Sequence, residues 1–220
     1  MSGNKKVGVI AGTKVDTQMG LKKLRDDSIT TRGEYITEDP DATTNLQVLE
    51  KNKLLTIMLD KANKLIENHD VDAICIYCNS LSTAVDLSKL RDRINIPIVT
   101  PLETYQKAAK NYSPIGVISA NCQASAGIEK IIQNQNPDIQ VIGIGLIPLV
   151  HAIEENISPE QIVDKFGLEK LAFFMEKTGV EVIILGCTHF PYLTNEFKNI
   201  FTVDIFDPAE EIRKKIKEIL

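Results

Sequence analysis

The sequence predicts an α/β protein of two similar lobes, each built on a parallel sheet, and three observations carry that expectation. Apolar runs such as Val71-Asp72-Ala73-Ile74-Cys75-Ile76-Tyr77 and Val180-Glu181-Val182-Ile183-Ile184-Leu185 are nearly continuous, as strands buried on both faces require. They alternate with stretches of helical periodicity, the pattern of parallel sheets flanked by helices. The chain also repeats itself. "VDAICIYCNSLSTAVDLSKL" from Val71 shares with "VEVIILGCTHFPYLTNEFKN" from Val180 the order Val, acid, four apolar residues, one further residue, Cys and two polar residues. "VGVIAG" from Val7 matches "IGVISA" from Ile115, and "IPIVTPLE" from Ile96 aligns loosely with "VDIFDPAE" from Val203. Each pair lies about 108 residues apart, so the repeating unit is a domain and not a solenoid turn.

In chain order the first half reads as a strand at 7–12, a long helix at about 45–68, a strand at 71–77, a helix at about 82–92 and a strand at 95–99. "TTRGEYITEDPDATTN", Thr30 to Asn45, is polar and reads as a loop after the first strand, where a lid or substrate loop would lie. The second half reads as strand 115–119, helix 123–134, strand 139–146, helix 159–176, strand 180–185, helix 192–199 and strand 202–206. The start at 159 is well marked: Ser158 is an N-cap, Pro159 takes N1 and Gln161 takes N3. Pro208 to Leu220 places Ile212, Ile216 and Ile219 on one face of a surface helix. Asp70, Asp72 and the lysines of 51–64 read as surface.

At 220 residues, 43% hydrophobic and 25% charged, the composition is that of an ordinary globular chain. The apolar stretch after Met1 is too short for a signal-peptide core, and no run reaches membrane-spanning length, so the expectation is a cytoplasmic protein without a membrane partner. A net charge of −5 with no basic block argues against a nucleic-acid partner. Four cysteines, Cys75, Cys78, Cys122 and Cys187, then read as thiols and not as disulfides. Cys75 and Cys78 form a C-x-x-C inside a strand, where residues three apart point to opposite faces and cannot chelate together. Cys75 reads as core. Cys187 and His189 lack a second ligand pair, so no metal is expected.

Ligands of open parallel sheets sit outside the carboxyl ends of the strands, and Cys78 and Cys187 both fall there. Each is followed by small polar residues, Asn79-Ser80 and Thr188-His189, at a helix start whose free N–H groups favour an anion and lower a thiol pKa from about 8.5. Helix capping alone accounts for a residue such as Ser80, but it does not call for a cysteine in both halves. Two related lobes facing one another would set the thiols on opposite sides of one cleft. Such a pair suits removal of a proton from one face of a stereocentre and its return on the other, which is racemisation or epimerisation.

"CNS" at Cys78-Asn79-Ser80 and "GCTHFP" at Gly186 to Pro191 resemble the paired cysteine motifs of the aspartate/glutamate racemase superfamily, the second being most similar to glutamate racemase. "VGVIAG", "GVISA" and "FDPAE" resemble the family's first strand, the strand opening its second lobe and its final strand and helix. The resemblance implies two flavodoxin-like lobes related by a pseudo-twofold axis, with the active site in the cleft between them. Residues 1–99 would form the first lobe, completed by a returning helix at 207–220, and 100–206 the second. It implies an amino-acid racemase that needs no cofactor, neither metal nor pyridoxal phosphate, with Cys78 and Cys187 as proton-transfer residues and His189 assisting Cys187. Asn79, Ser80 and Thr188 would bind the carboxylate and ammonium of a small-molecule amino acid, in a protein expected to be a homodimer.

Departures from the family pattern bear on the substrate. The Asp-Ser turn that glutamate racemases carry after the first strand is here "AGTKVDTQMG", making Asp16 a candidate catalytic residue and Thr17 a candidate ligand if residues are inserted; without insertion Thr13 holds the turn, more like aspartate racemase. Ser119-Ala120 replaces a small residue and Thr, leaving Asn121 as a candidate donor. The acid found after a Pro-Leu-Val-like stretch is replaced by His151, with Glu154 and Glu155 one turn on. Glu155 reads as a solvated helix charge. Arg32 could pair with a side-chain carboxylate, or be only a solvated loop arginine. Glutamate and aspartate both stay open as substrates. So do two other functions: a maleate-isomerase-like enzyme using one cysteine as nucleophile, and a two-lobe small-anion binder without chemistry.

Overall fold

The computed structural model describes residues 4–220, and the chain divides into two units, Met1–Glu103 with Ala209–Leu220 and Thr104–Pro208. The first unit runs β1 (Lys5–Ala11), α1 (Lys14–Leu24), β2 (Ile29–Tyr35), α2 (Pro40–Leu46), α3 (Lys51–His69), β3 (Ala73–Ile76), α4 (Asn79–Ala84), α5 (Leu87–Arg91) and β4 (Ile98–Val99). The second runs α6 (Tyr105–Asn111), β5 (Ile115–Ser119), α7 (Cys122–Gln133), β6 (Val141–Gly145), α8 (Ile147–Glu154), α9 (Pro159–Phe166), α10 (Leu168–Lys177), β7 (Val182–Gly186), a 3₁₀ turn at Phe190–Leu193, α11 (Thr194–Ile200) and β8 (Asp204–Phe206). The last helix, α12 (Pro208–Ile219), returns to the first unit.

Each unit is built on four parallel strands in the same order, β2-β1-β3-β4 and β6-β5-β7-β8. The nearly continuous apolar runs foreseen as buried strands occupy the centres, because only a strand covered on both faces can be apolar at every position. In the first unit Ile10, Ile74 and Ile76 pack with Leu54, Met58 and Leu65 of α3 on one face. Val7, Val9 and Cys75 pack on the other with Leu24 of α1 and with Ala209, Ile212 and Ile216 of α12. The C-terminal helix therefore contributes its isoleucine stripe to the first unit's core. Asp26 fastens it, accepting from Arg213 Nη2 at 3.2 Å and lying 2.5 Å from Lys217 Nζ.

Several expectations are corrected. The segment read as a loop from Thr30 contains β2, an edge strand whose polar sequence, Ile-Thr-Thr-Arg-Gly-Glu-Tyr, suits an edge that must resist further pairing. α1, α6 and α8 were not foreseen. The helix expected at 159–176 is two helices, since Gly167 adopts φ 61° and closes α9 in the left-handed conformation. The helix expected at 82–92 begins instead at Asn79 and breaks after Ala84; Asp86 then caps α5, accepting from Lys89 N. The long helix expected from 45 starts at Lys51, after the separate α2. No helix among the described residues is long and apolar enough to cross a membrane.

Candidate active site

In a doubly wound sheet the ligand crevice lies where the chain leaves neighbouring strands toward opposite faces, at the carboxyl ends. In the first unit β1 and β3 are such neighbours, tied at their ends by Tyr77 N donating to Ile10 O at 2.8 Å. β3 runs into Cys78, which is extended (φ −163°, ψ 121°) and occupies the N-cap position of α4. Cys78, Asn79 and Ser80 are all buried, and Ser82 Oγ donates to the Cys78 carbonyl at 2.6 Å, holding the first turn. β1 runs into Gly12 and Thr13, the N-cap of α1. Thr13 Oγ1 accepts from Asp16 N at 3.2 Å, while Asp16 Oδ2 accepts from Gly12 N at 3.3 Å. Together the two bonds bring the carboxylate back to the strand end. Thr17 Oγ1 donates to Thr13 O at 2.8 Å, and Thr13, Asp16 and Thr17 are each 3% exposed or less.

The second unit repeats the plan with different chemistry. β5 leads through Ala120 to Asn121, whose side chain caps α7 by accepting from Ala124 N at 2.9 Å. Its neighbour β7 ends in Gly186 and leads to Cys187, Thr188 and His189, all buried. Cys187 Sγ lies 3.7 Å from His189 Nδ1, and His189 Nε2 lies 2.8 Å from Glu154 Oε1. A thiol, an imidazole and a carboxylate thus stand in line, the arrangement by which an acid fixes a histidine and the histidine exchanges a proton with sulfur.

Glu154 is the residue that sequence reasoning left unassigned. It ends α8, on the same side as buried Val150 one turn earlier, and its side chain is 14% exposed. A carboxylate at the margin of an apolar helical stripe was the available signal. Glu155, next to it, is exposed, and His151 is half-buried on α8. Arg32 stands in the middle of the β2 edge, exposed, with Nη1 donating to Thr31 O at 3.0 Å, so it does not join the strand-end cluster. Cys75 faces the opposite side of the sheet from Cys78, and burial, with smaller contributions from Glu103 and Asp16, pushes its thiol far above the usual range. Cys122, on the first turn of α7, is exposed. Among the described residues no group of three or more His, Cys, Asp or Glu side chains is placed to hold a metal ion.

The sequence model of the Asp/Glu/hydantoin racemase family matches residues 30–214. The chain belongs to that family. Within this racemase family it is similar to the glutamate racemase of Limosilactobacillus reuteri (strain DSM 20016), with 32% identity over 165 residues, 73% of this chain and 61% of the relative. The match therefore spans about three fifths of that relative's length. The glutamate racemase of Sulfurihydrogenibium sp. (strain YO3AOP1) is 29% identical over 176 residues, 77% of this chain and 66% of its own. Among solved structures, glutamate racemase from Francisella tularensis in complex with D-glutamate superposes with a TM-score of 0.75 at 23% identity, covering 99% of this chain and 81% of that one. An aspartate racemase homologue from Pyrococcus horikoshii gives 0.67 at 19%, covering 97% and 98%. These likenesses establish that the two-lobe racemase fold is shared. Cys78, Glu154, Cys187 and His189 lie inside the region matched by the racemase family; Thr13, Asp16 and Thr17 precede it, and their place rests on the capping geometry.

Proposed function

We propose that this family member is a cofactor-independent racemase of an acidic amino acid, glutamate or aspartate, working by proton transfer between two thiols. One observation carries the proposal: two sheets of identical strand order each deliver a buried cysteine to the same topological point, the carboxyl end of the strand at the switch. The reading requires Cys78 and Cys187 to address opposite faces of one substrate. One thiolate removes the Cα proton, the electron pair is held by the substrate carboxyl group, and the other thiol returns a proton to the far face, so the two sulfurs exchange protonation states in each turnover. His189 serves Cys187, steadied by Glu154, while Asp16 serves the Cys78 side. The polar groups of Thr13, Thr17, Asn79, Ser80, Asn121 and Thr188 are the ligands assigned to the substrate carboxylate and ammonium. The same reading assigns the active site to residues of lobes 1–99 with 207–220 and 100–206, and makes the protein a cytoplasmic homodimer.

A panel of L-amino acids in heavy water, followed by proton NMR, tests the proposal. Loss of the Cα–H signal for glutamate or aspartate, unaffected by dialysis against a chelator or by omission of pyridoxal phosphate, is the expected result. No exchange with any amino acid would contradict it. A second reading has one observation in its favour: Cys187 has an imidazole beside it, as a single nucleophilic cysteine would need. That alternative is a maleate-isomerase-like reaction through a covalent adduct on Cys187.

A further inference from the structure

The turn between β1 and α1 is held from outside by a segment that no part of the reaction scheme has used. Gly12 donates its amide to the Asp16 carboxylate at 3.3 Å. The peptide groups on either side of it are gripped by the residues leaving β2. Ile36 N donates to Ala11 O at 3.2 Å and to Gly12 O at 3.1 Å, Thr37 N donates to Gly12 O at 2.9 Å, and Thr37 Oγ1 reaches the same carbonyl at 3.1 Å. Thr37 is in turn bonded to Thr43 of α2, the two hydroxyl oxygens being 2.5 Å apart. Thr43 is 8% exposed, and its methyl group presses on Gly12 so closely that a Cβ there would lie 2.8 Å from it. Only glycine permits this approach.

Each threonine has a single hydroxyl proton. Thr37 Oγ1 has two carbonyls within reach, Gly12 O and Asp39 O, both at 3.1 Å. Thr43 Oγ1 has Asp39 O at 3.3 Å as its other acceptor; when its proton goes instead to the nearer Thr37 oxygen at 2.5 Å, Thr37's own proton is left for one of these carbonyls, and a chain running Thr43 to Thr37 to Gly12 O is strengthened along its length. We propose that Thr37 and Thr43 are positioning residues, a hydroxyl relay that locks the Gly12 turn and thereby sets the Asp16 carboxylate for the Cys78 half of the reaction. The inference rests on the racemase reading for its catalytic consequence and on hydrogen bonds alone for its structural one. It assigns α2 and the residues after β2 a share in the proton transfer at Cys78 only.

The test compares Thr43→Val, which keeps the shape and loses the hydroxyl, with Thr43→Ser, which keeps the hydroxyl. Two readouts are taken on the folded protein. The first is hydrogen exchange at the Gly12 amide, which needs no activity. It is expected to quicken roughly 10-fold in Thr43→Val, about the worth of one hydrogen bond, and to stay at the wild-type rate in Thr43→Ser. The second is chloride release from the separate D and L forms of a 3-chloro acidic amino acid, with Cys187→Ser identifying the enantiomer handled by Cys78. Thr43→Val is expected to slow that enantiomer roughly 10-fold and leave the other unchanged, with Thr43→Ser resembling wild type. An unchanged Gly12 amide in Thr43→Val overturns the relay whatever the activity. Equal slowing of both enantiomers, or equal loss in the Ser and Val variants, reduces Thr43 to a packing residue and overturns the positioning role. Wild-type protein that acts on neither enantiomer and exchanges no Cα proton sinks the racemase reading, while the amide readout still judges the relay.

Discussion

Cys78 and Cys187 occupy the same place in two sheets of the same order, yet their surroundings differ in kind. Cys187 has an imidazole at 3.7 Å, itself held by Glu154 at 2.8 Å. Cys78 occupies the N-cap position of a short helix, and the adjacent strand leads to a buried carboxylate, Asp16, that accepts from the Gly12 amide. The repeated strand order therefore fixes where the sulfur sits and leaves its neighbours free to differ. On the proposed reading a symmetric backbone carries an asymmetric acid/base pair, because position is set by strand order and proton affinity by the neighbouring side chains.

The largest effect should come from the sulfurs themselves. Cys78→Ser and Cys187→Ser are each expected to lower racemisation by roughly 10³-fold or more, since a hydroxyl cannot replace a thiolate base; polarimetry on folded variants checks this. A smaller effect should follow from His189→Asn, about 10²-fold in kcat/KM and equal in both directions, because a catalyst cannot move an equilibrium. Its one-sidedness should appear in the primary isotope effect for the enantiomer that Cys187 deprotonates and in chloride elimination from that enantiomer. Unchanged isotope effects for both enantiomers would make the ring structural. Glu154→Gln should cost roughly 10-fold with the same one-sided isotope effect, and Glu155→Gln, on an exposed side chain, nothing measurable.

The units also differ in how they are held. Asp26 anchors α12 to the first unit, and Lys217, then Ser28 and Arg213, hold its carboxyl well below the ordinary carboxylate value. A depressed carboxyl stabilises the fold above its unfolded value of about 4 and loses that contribution as pH falls through the folded one. Asp26→Asn should therefore lower Tm modestly at pH 7, and the gap to wild type should narrow below about pH 4. A constant gap at every pH would contradict the ion cluster. The smallest test sharpens the contrast among thiols. Alkylation at neutral pH should reach exposed Cys122 and spare Cys75 until the protein unfolds, as mass spectrometry of the modified peptides would report.

Central strands were legible because their burial is written as uninterrupted apolar residues; β5 is found at the residues expected, 115–119. β2 was not, since an edge strand with Thr, Arg and Glu has the composition of a loop until its pairing with β1 is known. α1 escaped for a related reason: its apolar residues, Val15, Met19, Leu21 and Leu24, are scattered among lysines with little helical periodicity. The thiols, the histidine and the Ser158 cap were visible as local motifs, whereas the partnership of Glu154 with His189 spans 35 residues and exists only once folding brings the end of α8 to the residues after β7. Asp16 was readable as a candidate and not as a reach: nothing in "AGTKVDTQMG" tells that its carboxylate folds back to Gly12 N.

The two-thiol assignment is tested most directly by chloride elimination from separate D and L forms of a 3-chloro acidic amino acid, which needs proton removal from one face and no return on the other. Cys78→Ser is expected to retain elimination from one enantiomer and Cys187→Ser from the opposite one. If one variant loses elimination from both enantiomers while the other variant keeps both, a single sulfur does the chemistry and the two-base mechanism is wrong.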